Sequence, residues 1–108
     1  MGWTVTFVNR TAEAELSALP LDMRSRFARI ADLIVQFGLM GVREPYVKHL
    51  DGKLWEMRLK GRDGIARSIY VAASGQRVVV LRTFVKKTQE TPRNELEIAL
   101  ARMTEMKA

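Results

Sequence analysis

The sequence predicts an α+β fold: an N-terminal strand and a helical hairpin packed on one face of a mainly antiparallel sheet, with a C-terminal helix. Three observations carry this. Apolar residues alternate with period two in Trp3 to Val8 and again in Leu54 to Lys60. Two runs with helical spacing flank Pro20, and short glycine-bearing turns join the last three strands. Short connections force those strands to be antiparallel, and two helices apolar on one side must bury that side against the only large partner left, a sheet. At 108 residues the chain is read as one domain, 1–108, with core enough to need no disulfide or metal staple.

In the first strand Trp3, Val5 and Phe7 share a face. Asn9 or Thr11 can cap the helix that follows, in which Ala12, Leu16 and Leu19 line up. The second helix runs from Leu21 or Asp22 to Phe37, with Met23, Phe27, Ile30, Ile34 and Phe37 as its stripe and Gly38 as its stop. Its arginines read as a solvated back. The segment from Gly41 to Leu50 carries Pro45 and reads as a connection. Leu54 to Lys60 puts Trp55, Met57 and Leu59 on one face and Glu56 and Arg58 on the other, and Gly61-Arg62-Asp63-Gly64 closes a hairpin. The next strand, Ile65 to Ala73, sets Arg67 with Ile69 and Val71, and Tyr70 opposite. Gln76 to Val85 is apolar on both faces and reads as the best candidate for a central strand. Thr91 as N-cap and Pro92 as first residue open the last helix, whose stripe is Leu96, Ala99, Leu100 and Met103. The helical hairpin covers one face of the sheet and the other is expected to stay open and carry the charge.

The net charge is +6, and it is unevenly placed. Met1 to Val47 holds five basic and five acidic residues, whereas Lys48 to Arg93 holds eleven basic against four acidic. A cationic second half fits a polyanionic partner. The absence of cysteine removes disulfides, thiol nucleophiles and Cys-ligated zinc, and with a single histidine no metal site is expected. No apolar run approaches the roughly 20 residues of a membrane span, and no signal peptide is evident, so a cytoplasmic protein without membrane attachment is expected. No Gly-x-x-x-x-Gly-Lys loop occurs, and no cofactor is expected.

What remains is a set of cations: Lys48, Arg58, Arg67, Arg82, Lys86 and Lys87, with His49, Glu56, Tyr70 and Phe84 nearby in the pattern. Arg58 and Arg67 fall mid-strand in consecutive strands, where the hairpin can set them side by side as a phosphate clamp. The competing reading is a cross-strand salt bridge from Glu56 to one of them. Metal-free RNA cleavage needs a base for the 2′-hydroxyl, cations for the charged phosphorane and an acid for the leaving 5′-oxygen. His49 has the right intrinsic pKa for proton transfer but stands in a loop. Phe84 and Tyr70 can stack on bases, although aromatic residues in apolar strands more often belong to the core.

Leu54-Trp55-Glu56-Met57-Arg58, Ala66-Arg67-Ser68-Ile69-Tyr70 and Val80-Leu81-Arg82-Thr83-Phe84-Val85-Lys86-Lys87-Thr88-Gln89-Glu90-Thr91-Pro92 resemble the RelE/HigB superfamily of type II toxins, in particular its phage-derived HigB-like branch. The resemblance implies a RelE-like fold and a ribosome-dependent, metal-independent endoribonuclease that cuts mRNA to a 2′,3′-cyclic phosphate. It implies two partners: mRNA on the ribosome and a cognate antitoxin, in this branch usually a helix-turn-helix protein. Glu56, Arg58, Arg67, Phe84, Lys86 and Lys87 match the family's pattern. The expected catalytic set is Arg58, Arg67, Lys86 and Lys87, with Lys48, His49, Arg82 and Phe84 on RNA. Arg82 stands where the family often has histidine, and a guanidinium does not readily exchange a proton. The rival expectation is a non-catalytic or ParE-like toxin or binding module on the same fold.

Overall fold

The computed structural model describes residues 2–86 and 90–106. β1 (Thr4–Phe7), α1 (Arg10–Ser17) and α2 (Leu21–Phe37) lead through a 3-10 turn (Leu39–Gly41) to β2 (Val47–Asp51), β3 (Leu54–Gly61), β4 (Gly64–Ala73), β5 (Arg77–Lys86) and α3 (Arg93–Met103). The strands form one sheet in the order β1-β5-β4-β3-β2. β1 lies parallel to β5, and every other neighbouring pair is antiparallel. β2 corrects the expectation of a plain connection from Gly41 to Leu50. It is a short edge strand whose buried residue is Val47, with Lys48 and His49 both exposed, so it has no alternation to read.

Asn9, not Thr11, caps α1; its Oδ1 accepts the Ala12 N–H at 2.8 Å. α2 buries Met23, Phe27, Ile30 and Ile34, and the Phe7 and Phe27 rings stack 5.9 Å apart. Phe37 departs from the expected stripe and is exposed. It is the last residue of the helix, and Gly38 (φ 74°) turns the chain there while its N–H still reaches the Ile34 carbonyl at 2.7 Å. The β3–β4 hairpin is held to the start of α2. Asp22 Oδ2 accepts the Arg62 N–H at 2.6 Å, and a β-carbon on Gly61 would stand 2.8–2.9 Å from the Met23 and Asp22 side chains.

On the helical-hairpin face, Met57, Leu59, Tyr70, Val78 and Val80 meet the α2 stripe. The second face is not left open as expected. Leu54, Ile69, Val71, Val79 and Leu81 gather there against Ala99, with Leu96 and Met103 at the margin. Because β5 is apolar on both sides, it demands a cover on each, and α3 supplies the second. Leu100, expected in the buried stripe, is 42% exposed, so the α3 contact centres on Ala99. The helix starts at Arg93 with Pro92 in the capping position, and Thr91 is released from the capping role the sequence suggested.

One irregularity decides where the charges go. Tyr70 pairs with Val80 but Ile69 pairs with Arg82, so Leu81 is an inserted residue in β5. Such a bulge shifts the phase of every residue beyond it. Before it, Val78 and Val80 face the helical hairpin; after it, Arg82, Phe84 and Lys86 lie opposite Ile69, Arg67 and Ile65, on the other face.

A cluster of four charges ties α1 and α3 to this bulge. Arg82 Nη1 lies 2.5 Å from Glu15 Oε2 and its Nε 2.6 Å from Glu95 Oε1. Arg102 donates to both Glu15 oxygens at 2.8 Å and to the Leu81 carbonyl at 3.0 Å. Burial alone would raise the Glu15 pKa, but hydrogen bonds from Arg102, the Thr83 N–H and Arg82 outweigh it and hold the carboxyl below its usual value.

Candidate functional site

Beyond the edge of the α3 cluster the second face turns cationic. The strand register builds three rows across it: Lys48–Glu56–Ile69–Arg82, then Arg58–Arg67–Phe84, then Lys60–Ile65–Lys86. Residues directly opposite one another in neighbouring strands have side chains within reach, so Arg58 and Arg67 stand side by side as the hairpin spacing requires.

The two arginines differ in what they can touch. Glu56 is fully buried and its Oε1 accepts from Arg67 Nη1 at 2.9 Å, while its Oε2 lies 3.4 Å from Arg58 Nε. Thr91 completes the knot: its hydroxyl donates to Glu56 Oε1 at 2.9 Å and accepts from Arg67 Nη1 at 2.6 Å. The Arg67 side chain is 3% exposed and that of Arg58 33%. The cross-strand salt bridge weighed against the phosphate clamp is therefore present, and it occupies Arg67 far more than Arg58. Lys86 is half-buried in the next row. Partial desolvation, and after it the positive fields of Arg67 and Arg58, hold its pKa below the ordinary lysine value.

Several expected RNA contacts are turned away, buried or engaged by other groups. His49 pairs with Trp55, which puts it toward the opposite face, and its Nε2 donates to the Gly52 carbonyl at 2.8 Å while its ring meets Trp55 edge-on at 5.1 Å. Phe84 is 8% exposed within the apolar cluster beneath α3, so its ring face is not open to a base. Arg82 is engaged by Glu95 and Glu15, and hydrogen bonding to Glu95 foremost holds the guanidinium more firmly charged. Its place in the structure is that of a clamp between α1, β5 and α3. Tyr70 is buried on the helical face, and burial pushes its pKa to about 12. Lys48 is exposed on the cationic face opposite Glu56. Lys87 lies outside the described residues.

Two partners of the site were not foreseen. Thr91 reaches Glu56 across 35 residues of chain, and Glu15 reaches Arg82 across 67; neither has a sequence signal beyond being a polar residue near an element end. A cavity of about 620 Å³ lies on the other side of the sheet among Leu39, Met40, Val42, Val47, Trp55 and Tyr70. Its walls are mostly apolar, with Arg43 and Lys53 also lining it, and it holds none of the cations of the three rows. The cationic face is thus the candidate for chemistry on an anion, and size alone does not choose the site.

The fold is that of the RelE toxins. The archaeal RelE solved in its RelE–RelB complex from Pyrococcus horikoshii OT3 superposes with a TM-score of 0.61 at 22% identity, over 79% of this chain and 96% of that one. Residues 14–104 match the model of the phage-derived protein Gp49-like family (DUF891). The chain belongs to that family, which is of the RelE/HigB toxin type, and is the toxin member of a toxin–antitoxin system. No curated protein sequence matches. Among the described residues no helix is long and apolar enough to cross a membrane.

Proposed function

We propose that this toxin is an mRNA endoribonuclease that works on the ribosome without a metal and leaves a 2′,3′-cyclic phosphate. The observation that carries the reading is the β5 bulge, which turns Lys86 onto the face of Arg58 and Arg67. On this face a ribose 2′-oxygen attacks phosphorus as the bond to the 5′-oxygen breaks. Arg58, the exposed arginine, meets the non-bridging oxygens. Arg67 lends positive charge from beneath, held in place by Glu56 and Thr91. The Lys86 ammonium stabilises the phosphorane and protonates the leaving 5′-oxygen, a task to which a lowered pKa suits it. With His49 toward the opposite face, the 2′-hydroxyl proton passes to the substrate's own phosphate or to a group on the ribosome. Lys48 extends the cationic track, and Lys87, which follows Lys86 in sequence, is proposed to act with it on phosphate. The partner that silences the toxin is a cognate antitoxin, expected as a helix-turn-helix protein encoded beside it; the archaeal RelE is itself a complex with RelB.

A second reading is a toxin that arrests growth without cutting RNA, favoured by the lack of an imidazole on the described cationic face. Mapping transcript ends in a translating extract separates the two. The nuclease reading expects new 3′ ends bearing cyclic phosphate only when ribosomes are engaged on the message. Arrested translation with intact transcripts sinks it.

A further inference from the structure

At the open edge of the cationic face, where β2 stops short of the end of β3, the chain leaves a cavity of about 170 Å³ lined by Arg26, Pro45, Tyr46, Arg58, Lys60 and Ile65. Its position is fixed by backbone: the Arg58 N–H donates to the Tyr46 carbonyl at 2.8 Å, so Tyr46 continues the row of Arg58 and Arg67 toward the sheet edge. Lys60 and Ile65 belong to the row of Lys86. The cavity therefore borders two of the three cationic rows and includes Arg58 itself.

Three features define what it would hold. The volume is well below the roughly 300 Å³ at which pockets for drug-sized ligands begin, so it admits one planar ring system and not a whole nucleotide. Its walls combine an aromatic ring, a proline and an isoleucine with three cations, and no carboxylate lines it. Tyr46 is 37% exposed, and the Arg26 guanidinium sits 5.9 Å from its ring centroid, bracing one side of the ring and leaving the ring in a positive field. An aromatic platform beside cations that track a backbone is how single-stranded nucleic acid is held independently of base pairing.

We propose that Tyr46, Pro45 and Ile65 form a stacking subsite for the base of a nucleotide adjoining the scissile phosphate of single-stranded RNA, with Arg58 and Lys60 on its phosphate. The inference rests on the ribonuclease reading above and names the substrate contact that reading lacks now that Phe84 is buried. Tyr46 acts by binding: it holds the strand in register and has no part in proton transfer.

The test is binding of a labelled single-stranded RNA pentamer, followed by anisotropy, alongside inorganic tripolyphosphate as a probe with charge but no base. Tyr46→Ala is expected to weaken RNA binding about tenfold and leave tripolyphosphate binding unchanged, and Tyr46→Phe to recover the lost affinity because the ring is restored. Equal RNA affinity for Tyr46→Ala and the parent protein overturns the subsite. So does a parallel loss for both probes, which would mean the ring serves only the fold or the charge. If Tyr46-dependent RNA binding is found while transcripts stay intact in the translating extract, the subsite stands and the ribonuclease reading fails.

Discussion

Lys86→Met is expected to slow transcript cleavage by about 10²- to 10⁴-fold, the usual contribution of a positioned proton donor, with little change in thermal stability. The side chain is only half-buried at the end of β5, so its loss removes no core contact of weight. Lys86→Arg divides the role in two. A guanidinium keeps the charge and the hydrogen bonds to phosphate but does not give up a proton near neutrality, so RNA affinity is retained and the rate is not. The pH profile carries the same signature. The active form is the ammonium, so the rate falls as pH rises through the Lys86 pKa. Desolvation first, then Arg67 and Arg58, move that pKa down, so the alkaline fall comes below the roughly 10.4 of an ordinary lysine. Single-turnover rates across pH are the measurement; an alkaline limb that persists unchanged in Lys86→Arg would assign it to another group.

Glu56→Ala should be the most damaging single change to the fold. It removes the carboxylate that faces a buried arginine and also one partner of Thr91. Breaking a buried pair from one side costs about 3–5 kcal/mol, because the remaining charge is left in a poorly solvating interior. For a domain of this size each kcal/mol moves the melting midpoint by about 4–8 °C, so a fall of well over 10 °C is expected in a thermal melt followed by circular dichroism. The pair as a whole is a different matter. Replacing both members by apolar residues, as in Glu56→Leu with Arg67→Met, should recover much of the loss, since desolvation of two charges offsets most of their attraction. The same double variant should remain defective in cleavage if Arg67 contributes its field to the phosphate. A Glu56→Ala protein that melts within about 2 °C of the parent would show that the knot carries no stability.

Much of this molecule can be read from period and punctuation. The boundaries of α2, the β3–β4 hairpin and the pairing of Arg58 with Arg67 follow from alternation and turn residues that depend on local sequence. What escaped depends on partners far along the chain. β2 is an edge strand stabilised by pairing with β3, and nothing in Val47 to Asp51 announces it. The apolar cluster under α3 could have been foreseen, because a strand with valine on both faces requires two covers. The bulge at Leu81 also left a trace. Val78, Val80, Arg82 and Lys86 share a parity, so a regular strand would drive two cations under α2, and a phase shift is the inexpensive escape. The clamp of Glu15, Arg82, Glu95 and Arg102 had no such trace. Arginine replaces an expected histidine there, and only the fold shows that two carboxylates await it. The resemblance named the toxin class, while the structure turned His49 toward the opposite face, buried Phe84, tied Arg82 to two carboxylates and brought Tyr46 to the edge of the cationic face.

In the proposed reaction this face catalyses attack by a ribose 2′-oxygen on the adjacent phosphate. The most direct measurement uses ribosomes programmed with a message that carries a single 2′-deoxynucleotide on the 5′ side of a mapped cut. Cleavage at that bond is expected to vanish while cuts elsewhere in the message persist, because the attacking oxygen is missing at that position alone. Continued cleavage at the deoxy position, leaving a 5′-phosphate on the downstream fragment, would mean that water attacks instead and would rule out attack by the 2′-oxygen.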